Sequence, residues 1–133
     1  MISQDDIANV MGQRLVTLTP KPLVVWEGKD FPSGGPYPFY YAELVPTRSK
    51  DGTLKGGGEQ QFGFFMVHVF TQSNQFASVG RKLGEAVKAL YPYASRDAVT
   101  GGSVTIYRAP EVLQGYEDGP HRRTPVRIPY SAS

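Results

Sequence analysis

The strongest hydrophobic pattern in the chain is the run QQFGFFMVHVF at 60–70, which is apolar on both faces of a predicted strand. Side chains of a strand point alternately to the two faces of its sheet. One face would carry His68 together with Phe62, Phe64, Met66 and Phe70. The other would carry Gly63 together with Phe65, Val67 and Val69. An antiparallel sheet in a small domain usually buries one face only. Two interpretations of the second face therefore stay open: a helix on each side of the strand, or partial cover by a neighbouring copy of the protein.

Two other segments have the spacing of amphipathic helices. The first begins at Ser3, a predicted N-cap, and its apolar positions are Ile7, Val10, Met11 and Leu15. The second is predicted to take its cap from residues 71–74 and to stop at Pro92. Its apolar positions are Phe76, Val79, Leu83, Val87 and Leu90. Gly80 and Gly84 lie one turn apart in it, which predicts tight packing of this helix on the sheet.

Four further strands are predicted from β-branched and aromatic runs, at 23–28, 38–46, 103–110 and 125–130. Pro125 and Pro129 lack the N–H that a sheet ladder needs, which predicts an edge position for the last strand. Residues 111–123 are expected to form a connection. The glycine-rich, polar segment 47–60 lies between two strands and predicts a hairpin with a long flexible tip. These elements predict an α+β fold, in which one mixed and mostly antiparallel sheet packs with two helices.

The composition narrows the classes of protein that fit. A length of 133 residues predicts a single domain over 1–133. The chain has no cysteine, which excludes disulfides, thiol catalysis and thiolate metal sites. There is no apolar run of 18 residues, so no membrane partner is expected. Asp5 and Asp6 near the start argue against a signal peptide.

Sites for catalysis, cofactors and metals are not predicted. His68 and His121 are the only histidines, and they do not have the spacing of a metal motif. The glycines at 56–58 are not followed by the Lys-Ser or Lys-Thr pair of a phosphate-binding loop, and the chain has no Gly-X-Ser-X-Gly nucleophile motif. We therefore predict that the protein is not an enzyme and that it needs no cofactor.

A basic cluster gathers near the C-terminus, and it consists of Arg108, His121, Arg122, Arg123 and Arg127. Strand pairing could bring these side chains onto one surface. Three interpretations stay open: a solvated face, a contact with acidic groups of another subunit or partner, and a nucleic-acid site. The net charge of +2 is low for a nucleic-acid-binding protein.

The order of the elements resembles that of the tail terminator, or tail completion, proteins of long-tailed bacteriophages and prophages. The similarity lies in the segments VVWEG, a Phe-Pro loop, a strand ending in Val45-Pro46, FGFFMVHVF, Leu90-Tyr91-Pro92, VTIYRAP, the turn 116–119 and PVRIPY. This resemblance implies a homohexameric ring that caps the tail tube and provides the joining surface to the head connector. It also implies assembly in the bacterial cytoplasm and a final place in the virion tail.

In that resemblance, the loop 47–60 would face the ring lumen, where DNA only passes through. The lumen candidates are Arg48, Lys50, Asp51, Lys55 and Glu59. The candidates for contact with another subunit or partner are Phe62, Phe64, Met66, Arg108, Arg122, Arg123 and Arg127. The alternative from another class is a small nucleic-acid-binding protein that uses the basic C-terminal cluster.

Overall fold

The computed structural model of the chain describes residues 2–18, 23–29, 37–50, 60–73 and 76–133. Its helices are α1 (Gln4–Leu15) and α2 (Ala77–Lys88). Its strands are β1 (Leu23–Trp26), β2 (Phe39–Lys50), β3 (Gln60–Gln72), β4 (Arg96–Val99), β5 (Gly102–Thr105), β6 (Glu111–Val112), β7 (Tyr116–Asp118) and β8 (His121–Ala132).

The strands form one sheet in the order β1-β2-β3-β8-β5-β4, and β6 and β7 also pair with β8. The β1–β2 pair is parallel, whereas the other pairs are antiparallel. The longest pairings are β2 with β3 and β3 with β8, so β3 lies at the centre of the sheet. The predicted α+β fold, with a mixed and mostly antiparallel sheet and two helices, is confirmed.

Both helices cover the same face of the sheet. One buried cluster joins Ile7 and Met11 of α1, Val87 of α2, and Phe65 and Val67 of β3. The interpretation with a helix on each side of β3 is therefore wrong for the described part of the chain. The other face carries a smaller cluster at one end only, and that cluster is built from Val25, Phe39 and Phe70.

The first helix follows its prediction closely. The Ser3 hydroxyl accepts a hydrogen bond from the Asp5 N–H, which caps the helix. The apolar stripe packs inward, with Ile7, Met11 and Leu15 fully buried. The Tyr91 hydroxyl, carried by the segment after α2, donates to the Met11 carbonyl at 2.6 Å.

The second helix begins later than the sequence predicts. Thr71 and Gln72 belong to β3, and the N-cap of α2 is Phe76, which makes no side-chain capping bond. Phe76 was expected in the core because its position fits the helical spacing. Its residue surface is instead 83% exposed, because it precedes the helix and its side chain is not carried on the buried stripe.

The glycines of α2 bring its backbone onto the sheet, as predicted. A Cβ on Gly80 would lie 2.4 Å from the Thr124 Oγ1 of β8, and a Cβ on Gly84 would lie 2.9 Å from a methyl of Val112 in β6. These distances are shorter than van der Waals contact, so a residue with a side chain at either position requires a shift of the helix or its neighbour.

The last strand is central and not at an edge, so that prediction is wrong. β8 pairs with β3 along its whole length, and on its other side it pairs with β7, β6 and β5 in turn. Pro125 and Pro129 fall between these three short pairings. The Leu113 N–H donates to the Pro125 carbonyl. Because the nitrogen and the carbonyl of a strand residue face the same neighbouring strand, the Pro125 nitrogen faces the side of β6 and β7, where the pairing is interrupted, and not β3.

Two other segments differ from their predictions. The strand expected at 103–110 is shorter and covers only Gly102–Thr105. It pairs with β4, a strand that the sequence analysis did not predict. The expected connection 111–123 contains β6, β7 and the start of β8.

In the predicted hairpin tip, residues 47–50 continue β2 after an irregularity between Pro46 and Arg48. Residues 51–59 lie outside the described part of the chain.

Candidate assembly surface

One half of the sheet face opposite the helices is apolar and partly exposed. We call this half the open face, and it consists of Val45, Phe62, Phe64, Met66 and Tyr107 with Arg127 beside them. Cross-strand partners share a face, and Phe64 is paired with Val45 on β2 and with Pro129 on β8. Phe62, Phe64 and Met66 are half-buried, whereas Gln61, Gly63 and Phe65, which alternate with them, are buried.

The side chains of the open face are held in place by their neighbours. The Phe62 and Tyr107 rings meet edge to face with centroids 5.6 Å apart. The Arg127 guanidinium lies over the Phe64 ring, 5.3 Å from its centroid. Val45 is 38% exposed at the β2 side of the patch. The result is an ordered apolar surface with a cation at its rim.

The other half of the same sheet face is closed by the chain itself. The Phe39 and Phe70 rings stack with centroids 4.7 Å apart, and the Arg123 guanidinium covers Phe70 at 4.7 Å. The His121 ring meets Phe39 edge-on, and its Nδ1 is hydrogen-bonded to the Tyr37 hydroxyl at 2.6 Å. Phe70, which the sequence placed with Phe62 and Phe64, is therefore buried in the monomer.

His68 lies at the border between the two halves. Its Nε2–H donates to the Glu43 carboxylate at 3.2 Å, while Nδ1 is buried and has no hydrogen-bond partner among the described residues. Burial lowers the pKa of His68, and the Arg123 charge also lowers it, against the raising effects of Glu43 and Asp118. His68 is a neutral donor to Glu43 at this border.

The basic residues near the C-terminus do not form one surface. Arg122 pairs with Glu117 at 3.5 Å, Arg123 with Asp118 at 2.8 Å, and Arg127 with Glu111 at 3.1 Å. Arg123 and Arg127 share the face opposite the helices, whereas Arg122 lies on the helix side of β8. Arg108 is exposed, with its guanidinium 5.6 Å from the Tyr107 ring centroid.

The acidic partners come from β6 and β7, which the sequence analysis assigned to a connection. Antiparallel pairing sets Glu111 opposite Arg127 and Glu117 opposite Arg122. Three of the four predicted interface arginines are thus paired within the chain, without a second subunit. The three carboxylates partly offset the charge of the arginine cluster on which the nucleic-acid alternative depends.

The lumen candidates are described only in part. In the backbone register of β2 and β3, Arg48 is paired with Phe62 and Lys50 with Gln60. Asp51, Lys55 and Glu59 lie outside the described residues.

A groove between α1 and the β1–β2 edge was missed by the sequence analysis. Its volume is about 740 Å³, and its apolar lining includes Val16, Trp26, Leu44 and Phe65. Its charged lining residues among the described part of the chain are Asp5, Glu27 and Glu43. Three separate segments meet here, so no local pattern could have revealed the groove.

Among the described residues, no three histidine, aspartate or glutamate side chains are close enough together to hold a metal ion. No described helix has the length and apolar character that crossing a membrane requires.

Comparison with known proteins decides the family. The sequence model described as phage tail terminator protein matches residues 6–130, nearly the whole chain. The chain belongs to the phage tail terminator family. Membership makes it a structural component of the phage tail, whose partners belong to tail assembly.

A solved structure supports the fold independently. It is 22% identical, it aligns with a TM-score of 0.73, and the match covers 100% of this chain and 97% of the other. At this identity the similarity shows the fold alone. No curated protein sequence matches the chain.

Proposed function

We propose that this tail terminator caps the tail tube as a homohexameric ring and provides the surface that joins the tail to the head connector. The observation that carries the proposal is the open face. Its half-exposed residues Phe62, Phe64 and Met66 form one apolar patch that neither helix covers. Contiguous apolar patches on soluble proteins commonly mark protein–protein contacts.

The composition of the open face supports the same proposal. Aromatic residues, methionine and arginine are enriched in protein interfaces, and the patch contains Phe62, Phe64, Tyr107, Met66 and Arg127. Cross-strand packing keeps these side chains ordered before association, which lowers the entropic cost of binding. A neighbouring subunit or the tube end would cover the patch in the assembled tail.

We further propose that the hairpin between β2 and β3, with the lumen candidates of segment 47–60, faces the channel through which DNA passes. In this proposal the protein is assembled in the host cytoplasm and has a structural role without catalysis. Arg122, Arg123 and Arg127 hold β6 and β7 against β8 through their ion pairs. In this proposal the three arginines affect assembly indirectly, because they fix the positions of β6 and β7 on β8.

The experiment is native mass spectrometry over a range of protein concentrations, alone and with purified tail tubes. We expect a species of six times the 14.6 kDa chain mass, favoured by concentration or by the tube end. Phe64→Glu should abolish that species while the monomer stays folded, and Tyr93→Glu, at an aromatic position 68% exposed and outside the open face, tests for a nonspecific effect of added negative charge. A chain that stays monomeric at high concentration and with tubes would overturn the proposal.

A further inference from the structure

Phe76 is the most exposed large apolar side chain in the described part of the chain, at 83% exposed. It stands at the N-cap of α2, outside the buried helical stripe. Single exposed apolar residues are common on protein surfaces. An aromatic ring with so little cover becomes informative when the same molecule offers a cavity that fits it.

The groove between α1 and the β1–β2 edge is such a cavity. Its volume of about 740 Å³ exceeds what one phenyl ring fills, so the groove could receive the ring and part of the helix behind it. Trp26 forms one wall, and a Cβ on Gly12 would lie 2.9 Å from its ring. The indole therefore packs directly on the α1 backbone at Gly12, while 41% of the Trp26 surface stays exposed.

The charges of the two surfaces are complementary. The groove's acidic lining residues include Asp5 and Glu27, whereas the carboxylate of Glu43 is bonded to His68 on the other face of the sheet, and no lysine or arginine is among the described lining residues. The first turn of α2 has no acidic residue, and its second turn exposes Arg81 and Lys82. Opposite charges at a contact favour the matching partner and suppress mismatched ones.

We propose that Phe76 and the start of α2 of one copy dock into the α1–β1–β2 groove of a second copy. This inference rests on the proposed ring and names one of its contacts. The groove lies against β1 and β2, whereas α2 packs on β8, β3 and β6, so the two surfaces are different parts of the molecule. A contact between two different surfaces repeats from copy to copy and closes into a ring when the rotation allows.

Two variants each remove one side of the contact. Phe76→Ser removes the ring at an exposed position. The double variant Asn9→Lys with Gln13→Arg adds positive charge and bulk to the groove at two exposed lining residues. Tyr93→Ser, at a position 68% exposed outside both surfaces, is the matched control. Melting temperatures of all variants establish that each chain is folded.

Native mass spectrometry of each variant and of their mixture tests the contact. We expect each variant alone to weaken self-association at least tenfold, while Tyr93→Ser behaves as wild type. In the mixture one intact groove meets one intact Phe76, so heterodimers should appear that cannot extend to rings. This pattern is specific for a two-surface contact.

The other outcomes overturn the inference and are distinguishable from failure of the proposed function. Normal hexamers from both variants would exclude this contact and leave the ring standing. Normal hexamers that no longer cap tubes would assign the groove to a tail protein instead of a second copy. A wild-type chain that stays monomeric even with tubes would overturn both the contact and the ring.

Discussion

At the residue scale, alternation along β3 predicted which side chains share a face, but not how much of each face is covered. Phe70 and Phe64 lie on the same side, yet Phe70 is buried by Phe39 and Arg123 while Phe64 stays half-exposed. Cover depends on residues far away in sequence, which no local pattern contains. His68 lies at the border between the buried half of this face and the open face. Its protonation should therefore depend on how well its side chain is buried there.

The stability of the fold should depend on pH through His68. Because its pKa is lowered in the folded state, the unfolded chain binds more protons once the pH falls below about 6.5, the ordinary value for histidine. The contribution of His68 to the free energy of unfolding should therefore be fully present above that pH. It should decrease as the pH falls toward the pKa of His68 in the folded state. His68→Gln keeps a donor to Glu43 but does not titrate, so this part of the pH slope should vanish in urea titrations. An unchanged slope would contradict the buried, neutral His68.

A second residue-scale prediction concerns the close contact of α2 with β8. Gly80→Ala gains about 1 kcal/mol of helix propensity, but its Cβ would lie 2.4 Å from the Thr124 Oγ1. Overpacking typically costs about 1–3 kcal/mol, so we expect net destabilisation in urea unfolding. The cost should be smaller in a Thr124→Ala background, and a double-mutant cycle measures that coupling. Ser78→Ala on the exposed face is the control, and additive effects at 80 and 124 would rule out the contact.

At the scale of elements, the sequence predicted the kinds of elements better than their order in the sheet. Hydrophobic periodicity identified both helices, and β-branched or aromatic runs identified β1, β2, β3 and the strand of 125–130. These patterns missed β6 and β7, which have two and three residues, and β4, in which only Ala98 and Val99 are apolar. Because β6 and β7 were not predicted as partners of β8, the prolines of β8 indicated an edge strand. In the structure these prolines lie in the gaps between the short pairings.

Amide hydrogen exchange tests the central position of β8. The N–H groups of Val126 and Ile128 should exchange among the slowest in the protein, because their strand is paired with β3 along its length and covered by α2. Those of β1 and β4, the two ends of the sheet order, should exchange faster. Equally fast exchange in β8 and β1 would restore the edge assignment.

At the scale of the whole molecule, the candidate surface was predictable in part. The two-faced pattern of 60–70 singled out Phe62, Phe64 and Met66, and the structure leaves these residues uncovered by helices. Three of the four predicted arginines lie on β8, where Arg122 is on one face and Arg123 and Arg127 are on the other, and all three are paired within the chain. The groove and exposed Phe76 required the folded chain, because their geometry arises from the way α1, α2 and the sheet pack together.

Electron microscopy of tail tubes incubated with the protein tests the central claim most directly. We predict one six-fold ring at one end of each tube, with the open face buried in the assembly and with tube growth stopped at the capped end. Phe64→Glu should leave the tube ends bare. Tubes that keep growing without a terminal ring in the presence of folded wild-type protein would contradict the account.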